Sequence, residues 1–147
     1  MYTVDASVWV NGFDQREAGH EISRQFLDAI RLRKVPIIVP NLVLIEVAAA
    51  ISRTRHNPVQ AAAFASALGR LPHVELRALD EGRALQAVKL AAEHGLRGAD
   101  AVYAAVAIEA GCTLVSLDGE HLTRLPAVMG VLTPAAALAA LTASPNA

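Results

Sequence analysis

The sequence predicts an α/β fold in which a short parallel sheet is flanked by helices on both sides, giving three layers. Short β-prone segments alternate with longer segments of helical periodicity, and this alternation is typical of parallel strands joined by right-handed crossovers. The chain of 147 residues has the length of one domain and contains neither a repeat nor an internal linker, so we expect a single domain over residues 1–147. In such sheets the ligand site lies at the carboxyl ends of the strands.

The chain opens with a predicted strand over residues 2–4, which Asp5 follows directly. Residues 6–13 are mostly apolar and predict a helical turn. Residues 17–31 carry apolar side chains at helical spacing and predict an amphipathic helix that covers one face of the sheet.

A β-branched run between two prolines predicts a brief second strand over residues 35–40. Asn41 is then placed to cap a helix over residues 42–53. A further helix begins at Asn57 and reaches about residue 68, since an Asn followed by Pro is a strong start signal.

The second half of the chain predicts three strands and three helices, and one of these helices is buried in the protein. That helix is Ala-rich, apolar on every side and ends before Gly111. The expected elements are a weak strand at 73–76, a helix capped by Asp80 through 93, the buried helix 100–110, strands at 113–117 and 128–132, and a helix at 134–141.

Composition indicates a globular protein rather than a disordered or membrane-spanning one, with 54% apolar and 18% charged residues. The N-terminal residues do not resemble an export signal, so we expect a soluble, cytoplasmic protein that does not bind membranes. Cys112 is the only cysteine. It excludes an intramolecular disulfide and is expected to be a small buried residue.

Four acidic residues occupy positions that converge in this predicted fold. Asp5 and Asp118 follow strands, Asp100 begins the buried helix, and Glu46 is the only charge in more than two turns of an apolar helix. For each of the three aspartates there is a purely structural alternative, as a helix cap or a turn residue. Glu46 is harder to explain in that way, because it is not placed for a capping box and an unpaired buried carboxylate is costly.

Clustered carboxylates without accompanying His or Cys ligands favour hard cations, which for a phosphate substrate means Mg²⁺ or Mn²⁺. Such an ion polarises a phosphate and lowers the pKa of bound water, so that water can attack a phosphodiester. The net charge of −1 argues against a nucleic-acid partner. Setting the four acids aside, however, leaves ten acidic against thirteen basic residues.

The motifs around these acids resemble those of PIN-domain ribonucleases, and more narrowly the VapC-type toxins of bacterial toxin–antitoxin pairs. The resemblance spans nearly the whole chain and keeps the four acids in the family's order. The motifs that carry it are Asp5 with Ser7, Asn41-Leu-Val-Leu-Ile-Glu46-Val-Ala, Leu96-Arg-Gly-Ala-Asp100-Ala-Val-Tyr-Ala-Ala and Leu114-Val-Ser-Leu-Asp118.

The resemblance implies that the four acids form a catalytic site that binds Mg²⁺ or Mn²⁺. Ser7 falls where the family has a small hydroxyl residue near the site, and Ser116 where Ser or Thr precedes the last acid by two. The resemblance also implies endonucleolytic RNA cleavage, a homodimer, and inhibition by a small antitoxin protein whose tail covers the active site.

Other residues near these motifs admit both a functional and a structural interpretation. Arg97 precedes the buried helix and is a candidate for contacting an RNA phosphate, or else a solvated loop residue. Glu120 is a candidate to assist or replace Asp118, although a turn there would point it to solvent. The five histidines show no paired metal spacing, and we interpret Trp9 and Tyr103 as core residues outside the site.

The sequence thus predicts a metal-dependent endoribonuclease, the toxin of a type II toxin–antitoxin pair. The competing hypothesis is a non-catalytic binding module of the same fold, acting through its dimer or antitoxin surface. A Mg²⁺-dependent phosphatase is a third class, but Asp5-Ala6-Ser7 lacks the second aspartate of a phosphotransfer Asp-x-Asp motif.

Overall fold

A computed structural model describes residues 1–143, and over these residues the chain forms five strands and eight helices. The strands are β1 (Tyr2–Val4), β2 (Ile37–Pro40), β3 (Val74–Arg77), β4 (Thr113–Val115) and β5 (Val131–Leu132). The helices are α1 (Ala6–Phe13), α2 (His20–Arg33), α3 (Leu42–Arg55), α4 (Pro58–Leu68), α5 (Glu81–His94), α6 (Gly98–Ala110), α7 (Gly119–Arg124) and α8 (Pro134–Ala143). The predicted end of the domain, at residue 147, lies outside the described residues.

All the strands pair in parallel in one sheet of order β3-β2-β1-β4-β5, which confirms the predicted α/β architecture. The central strand β1 aligns Val4 with Val115 of β4. Helix α6 packs on β1, β2 and β4, and every residue from Asp100 to Ala107 is buried. Its alanines let the helix approach the sheet closely, so the carboxyl ends of β1 and β4 lie on a rigid support.

Helix starts follow the predicted caps at two places. The side chain of Asn57 accepts a hydrogen bond from the backbone N–H of Gln60, and Asp80 accepts one from Arg83. Asn41 does stand at the N-cap position of α3, but its side chain makes no capping bond, so the predicted cap there is wrong. Its backbone is already helical, which turns the side chain away from the N–H groups that it was expected to receive.

The remaining differences from prediction concern segment ends. Residues 6–13 form a full helix rather than a turn, and α2 begins at His20 rather than at residue 17, because Gly19 adopts a left-handed conformation (φ +80°). Strand β4 ends two residues early, and α7 was not predicted. Cys112 is buried, as expected.

None of the helices formed by the first 143 residues is long and apolar enough to cross a membrane.

Candidate active site

The chain crosses from one side of β1 to the other when it passes from β3 to β4, so the carboxyl ends of β1 and β4 flank a topological switch point. Crevices at such points are the usual ligand sites of open parallel sheets. Asp5 follows β1, and Ser116 and Asp118 follow β4. Two of the four predicted acids are therefore brought to one crevice by the topology itself.

Asp5 is buried and caps α1, since its Oδ2 accepts a hydrogen bond from the backbone N–H of Ser7 at 3.0 Å. The hydroxyl of Ser7 also donates to this oxygen and accepts from the N–H of Leu117 at 3.1 Å. The Ser116 hydroxyl lies 3.4 Å away on the other side. Ser7 thus holds Asp5, Ser116 lies beside it, and capping occupies only one of the two Asp5 oxygens.

Asp100 lies in the first turn of α6 and is 8% exposed. Its Oδ2 is buried and has no hydrogen-bond partner among the described residues. Burial raises the pKa of this carboxyl; the His121 ring opposes the shift, whereas Asp118 and Asp5 add to it. The helix cap position belongs to Arg97, so Asp100 is not the capping residue that a purely structural role requires.

His121 is fully buried between the two motifs that carry Asp100 and Asp118. Its Nε2 lies 3.3 Å from the carbonyl oxygen of Asp100 and 3.7 Å from Oδ1 of the same residue. Its Nδ1 lies 2.9 Å from the Ser116 hydroxyl, which in turn accepts from the N–H of Asp118 at 2.9 Å. Because a carbonyl oxygen only accepts, Nε2 carries the hydrogen, and the ring ties helix α6 to the end of β4.

Glu46 projects from α3 and receives a hydrogen bond of 2.7 Å from the hydroxyl of Tyr103. Burial raises the pKa of Glu46; the Tyr103 bond works against this, and the charges of Asp5 and Asp100 reinforce it. Burial also raises the pKa of Tyr103, so its phenol stays protonated and donates. The interpretation of Tyr103 as a core residue is confirmed by its complete burial, and the structure adds that its hydroxyl contacts Glu46.

Asp118 caps α7 through a 2.7 Å bond from the N–H of Glu120, which leaves its Oδ2 3.8 Å from exposed Arg97. Glu120 does not point to solvent as expected. Its side chain is 23% exposed, with one oxygen 3.6 Å from Arg97 and 3.8 Å from Arg124, and the other buried without a partner. Helix α7 turns it back towards the loop before α6.

The acids are close enough for their charges to influence one another, but in this arrangement they do not surround an ion. Within residues 1–143, no three His, Cys, Asp or Glu side chains stand close enough to hold a metal. The donor chemistry nevertheless fits a hard divalent cation, since the groups are carboxylates and hydroxyls and Oδ2 of Asp100 is buried without a partner. A cation would offset the mutual repulsion of Asp5, Glu46 and Asp100 and let them draw together.

Two clefts differ in size and in place. The larger, about 750 Å³, lies at the opposite edge of the sheet, where residues such as Pro36 and His73 precede the strands. A cleft of about 400 Å³ adjoins the acids and includes Ser7 and Glu46 in its lining. Chemistry rather than volume identifies the site, because the larger cleft contains one carboxylate, Glu75, and none of the predicted site residues.

Sequence reasoning missed Tyr103 and His121, and both carry a positional signal. Tyr103 follows Asp100 by three residues on a helix, which places the two on neighbouring faces. His121 follows Asp118 by three residues, but its burial depends on α7, which was not predicted.

Comparisons with known proteins agree with this fold. The family model of the PIN domain matches residues 2–127. No curated protein matches the chain in sequence.

Solved structures similar to the chain include toxin–antitoxin proteins. A toxin–antitoxin complex from Klebsiella pneumoniae is 18% identical with a TM-score of 0.66, over 91% of this chain and 98% of that one. Mycobacterium tuberculosis VapC20, a sarcin-ricin loop cleaving toxin, is 22% identical with a TM-score of 0.68, over 81% and 91%. VapBC2 from Rickettsia felis, bound to a DNA fragment from its promoter, is 16% identical with a TM-score of 0.67, over 90% and 97%. These likenesses establish the fold.

Proposed function

The chain belongs to the PIN domain family, and from this premise we propose that it is a metal-dependent endoribonuclease, the toxin of a type II toxin–antitoxin pair. One observation carries the proposal. Asp5, Glu46, Asp100 and Asp118 come from four separate segments to one sheet edge, where burial and the neighbouring acids raise the pKa of Glu46 and Asp100. Such carboxylates destabilise the metal-free fold, and a bound cation would neutralise their charge.

In this proposal the carboxylates of all four acids hold Mg²⁺ or Mn²⁺. A divalent cation would supply polarisation of the scissile phosphate and a lowered pKa for the attacking water. Ser7 orients Asp5, Ser116 holds the His121 ring, and Tyr103 keeps Glu46 in place. Exposed Arg97, on the rim beside Asp118, is placed to receive a phosphate of the RNA.

The partners in the proposal are RNA, a small antitoxin protein and a second copy of the chain, all in the cytoplasm. The antitoxin is supported by the toxin–antitoxin complexes among the similar structures. For protein partners the chain offers exposed apolar side chains on and near α5, namely Leu79, Leu85 and Val88, which are 49–65% exposed.

The test is cleavage of total cellular RNA by the purified protein with Mg²⁺ or Mn²⁺, compared with EDTA and with Asp100→Asn, with the cut ends mapped. We expect discrete cuts that need both the metal and Asp100. Asp28→Asn, which removes an exposed acid on α2, is the matched control and should cut like the wild type.

The alternative is a non-catalytic module of the same fold. If folded protein, shown to be free of antitoxin, makes no cuts with any metal, the nuclease proposal fails and the binding module is favoured. Full activity of Asp100→Asn would remove Asp100 from the site and overturn the assignment of the acids.

A further inference from the structure

The cleft of about 400 Å³ beside the acids has a composition that the proposed chemistry does not use. It lies between α1 and α3, and Leu117, after β4, also lines it. Its lining consists of Ala6, Ser7, Val10, Asn11, Glu17, Glu46, Ala50, Arg53 and Leu117. Because Ser7 and Glu46 belong to both places, the cleft is a continuation of the acid site.

Three lining residues of the cleft follow one another along one face of α3. Glu46, Ala50 and Arg53 are separated by four and three residues, so they lie in a row on one face of the helix. Arg53 is in the last turn. The row therefore leads from a carboxylate of the acid site, across a small apolar residue, to a cation at the far end.

Arg53 is exposed and forms no hydrogen bond or ion pair with any residue between 1 and 143. Its neighbour Arg55, in the same turn, is placed differently: it pairs with Asp14 at 2.8 Å and lies over the ring of Phe13. Two arginines on one helix turn thus have different surroundings. Arg55 is used by the fold, whereas Arg53 is available to a ligand.

The walls of the cleft suit a flat, partly apolar group. Val10 and Ala50 line the cleft from the two helices, and Leu117 is 41% exposed, although it is a large apolar side chain. Asn11 also lines the cleft and is buried, with its Oδ1 unpartnered among the described residues. An unstacked nucleobase combines an apolar face with hydrogen-bonding edges, and its nucleotide carries a phosphate.

We propose that this cleft binds one nucleotide of single-stranded RNA directly next to the scissile phosphate. The base lies between Val10, Ala50 and Leu117, and the phosphate on the far side of that nucleotide pairs with Arg53. The near phosphate then enters the acid site past Ser7 and Glu46. This inference rests on the proposed nuclease function and deepens it, because it makes the cleft the place where the enzyme selects a base.

The first test removes the cation. Binding of a fluorescein-labelled single-stranded RNA octamer of mixed sequence is measured by anisotropy with Ca²⁺, at several salt concentrations. For Arg53→Gln we expect Kd to rise about tenfold and the salt slope to fall by about 0.7, the loss of one phosphate contact to a single strand. Arg31→Gln is the matched control, since Arg31 also lies in the last turn of a 14-residue helix but at the opposite sheet edge.

The second test fills the cleft without changing charge. Ala50→Leu should weaken binding about tenfold and, in cleavage mapping with Mg²⁺ or Mn²⁺, should flatten the base preference at one position next to the cut. Ala63→Leu, on the exposed side of α4, should change neither. Thermal unfolding of each variant shows whether the fold is intact.

The outcomes separate the two proposals. If the wild type cuts RNA but Arg53→Gln and Ala50→Leu both bind and cut like their controls, the nucleotide site is wrong and the nuclease proposal stands. If Ala50→Leu instead abolishes binding of a partner protein while RNA binding is unchanged, the cleft is a protein contact and the inference is overturned. If the wild type neither binds nor cuts RNA, both proposals fail together.

Discussion

Two buried aspartates in this molecule differ in whether their oxygens have partners. Asp14, at the end of α1, is 3% exposed, and both of its oxygens are paired: Arg16 contacts each of them, and Arg55 adds a bond of 2.8 Å. Asp100 is 8% exposed and has one oxygen without any partner among the described residues. Two carboxylates that are buried to a similar degree therefore differ in how far the fold compensates their charge.

The pKa values of the two carboxyl groups shift in opposite directions, according to the charges beside them. Hydrogen bonds from Arg16, with help from Arg55, hold the pKa of Asp14 well below its usual range. Burial, together with Asp118 and Asp5, raises the pKa of Asp100. Asp14 is neutralised by arginines of the chain, whereas Asp100 lies beside other acids and keeps an oxygen free for the cation of the proposed site.

The largest effect is expected from Asp100→Asn. Removing a ligand of the proposed metal should lower cleavage by more than about 100-fold. The same change removes a desolvated charge, so in EDTA the unfolding temperature should stay the same or rise. The checks are RNA cleavage and thermal unfolding of one preparation; a clear fall in unfolding temperature would show that Asp100 stabilises the fold and would break the comparison.

Tyr103→Phe should have a smaller effect on the same site. It keeps the buried ring and removes the donor to Glu46, so the pKa of Glu46 should rise further and cleavage should fall about tenfold at neutral pH. The acidic limb of the pH–rate profile should move to higher pH. Tyr2→Phe, at a ring packed on Phe26, is the control, and an identical profile for both variants would contradict a role for the Tyr103 hydroxyl.

Asp14→Asn should show the reverse pattern to Asp100→Asn. The substitution leaves Arg16 and Arg55 without their counter-charge, so the unfolding temperature should fall by several degrees. Cleavage by the protein that remains folded should stay within about twofold of wild type, since Asp14 lies outside the acid site. A large loss of cleavage with unchanged stability would place Asp14 in the site instead.

The smallest and most specific effect concerns pH. In EDTA, a carboxyl whose pKa is raised on folding destabilises the fold above that pKa. The higher stability expected for Asp100→Asn relative to wild type should therefore shrink as pH falls from 7 towards the ordinary aspartate pKa of about 3.9. Asp14 has a lowered pKa, so the deficit of Asp14→Asn should stay constant over that range and shrink only below about pH 4. Urea unfolding midpoints measured from pH 7 to pH 3 distinguish the two.

Local signals in the sequence predicted most of the fold. The caps at Asn57 and Asp80 were found because a capping side chain bonds a backbone N–H only three residues away. The start of α2 was misplaced because it depends on the left-handed backbone of Gly19, which apolar spacing does not report. Helix α7 was missed because it has only six residues, of mixed polarity.

The four acids were selected from their positions and motifs, and their roles remain predictions. What the sequence could not supply is the set of groups around them. Tyr103 reaches Glu46 across 57 residues of chain, and His121 reaches Asp100 across 21. Such contacts exist only after α3, α6 and α7 have packed, so the spacing of three residues marks Tyr103 and His121 as candidates but does not predict what they contact.

The position of β1 in the middle of the sheet has a consequence for the making of the protein. Asp5 is synthesised 111 residues before Ser116, which lies beside it in the fold. Until β4 has been made and paired with β1, the segment that carries Ser116 and Asp118 has no place in the sheet and the four acids cannot assemble. A protein that cuts RNA in the way proposed here would therefore be inert beside the messenger that encodes it until that strand has joined the sheet.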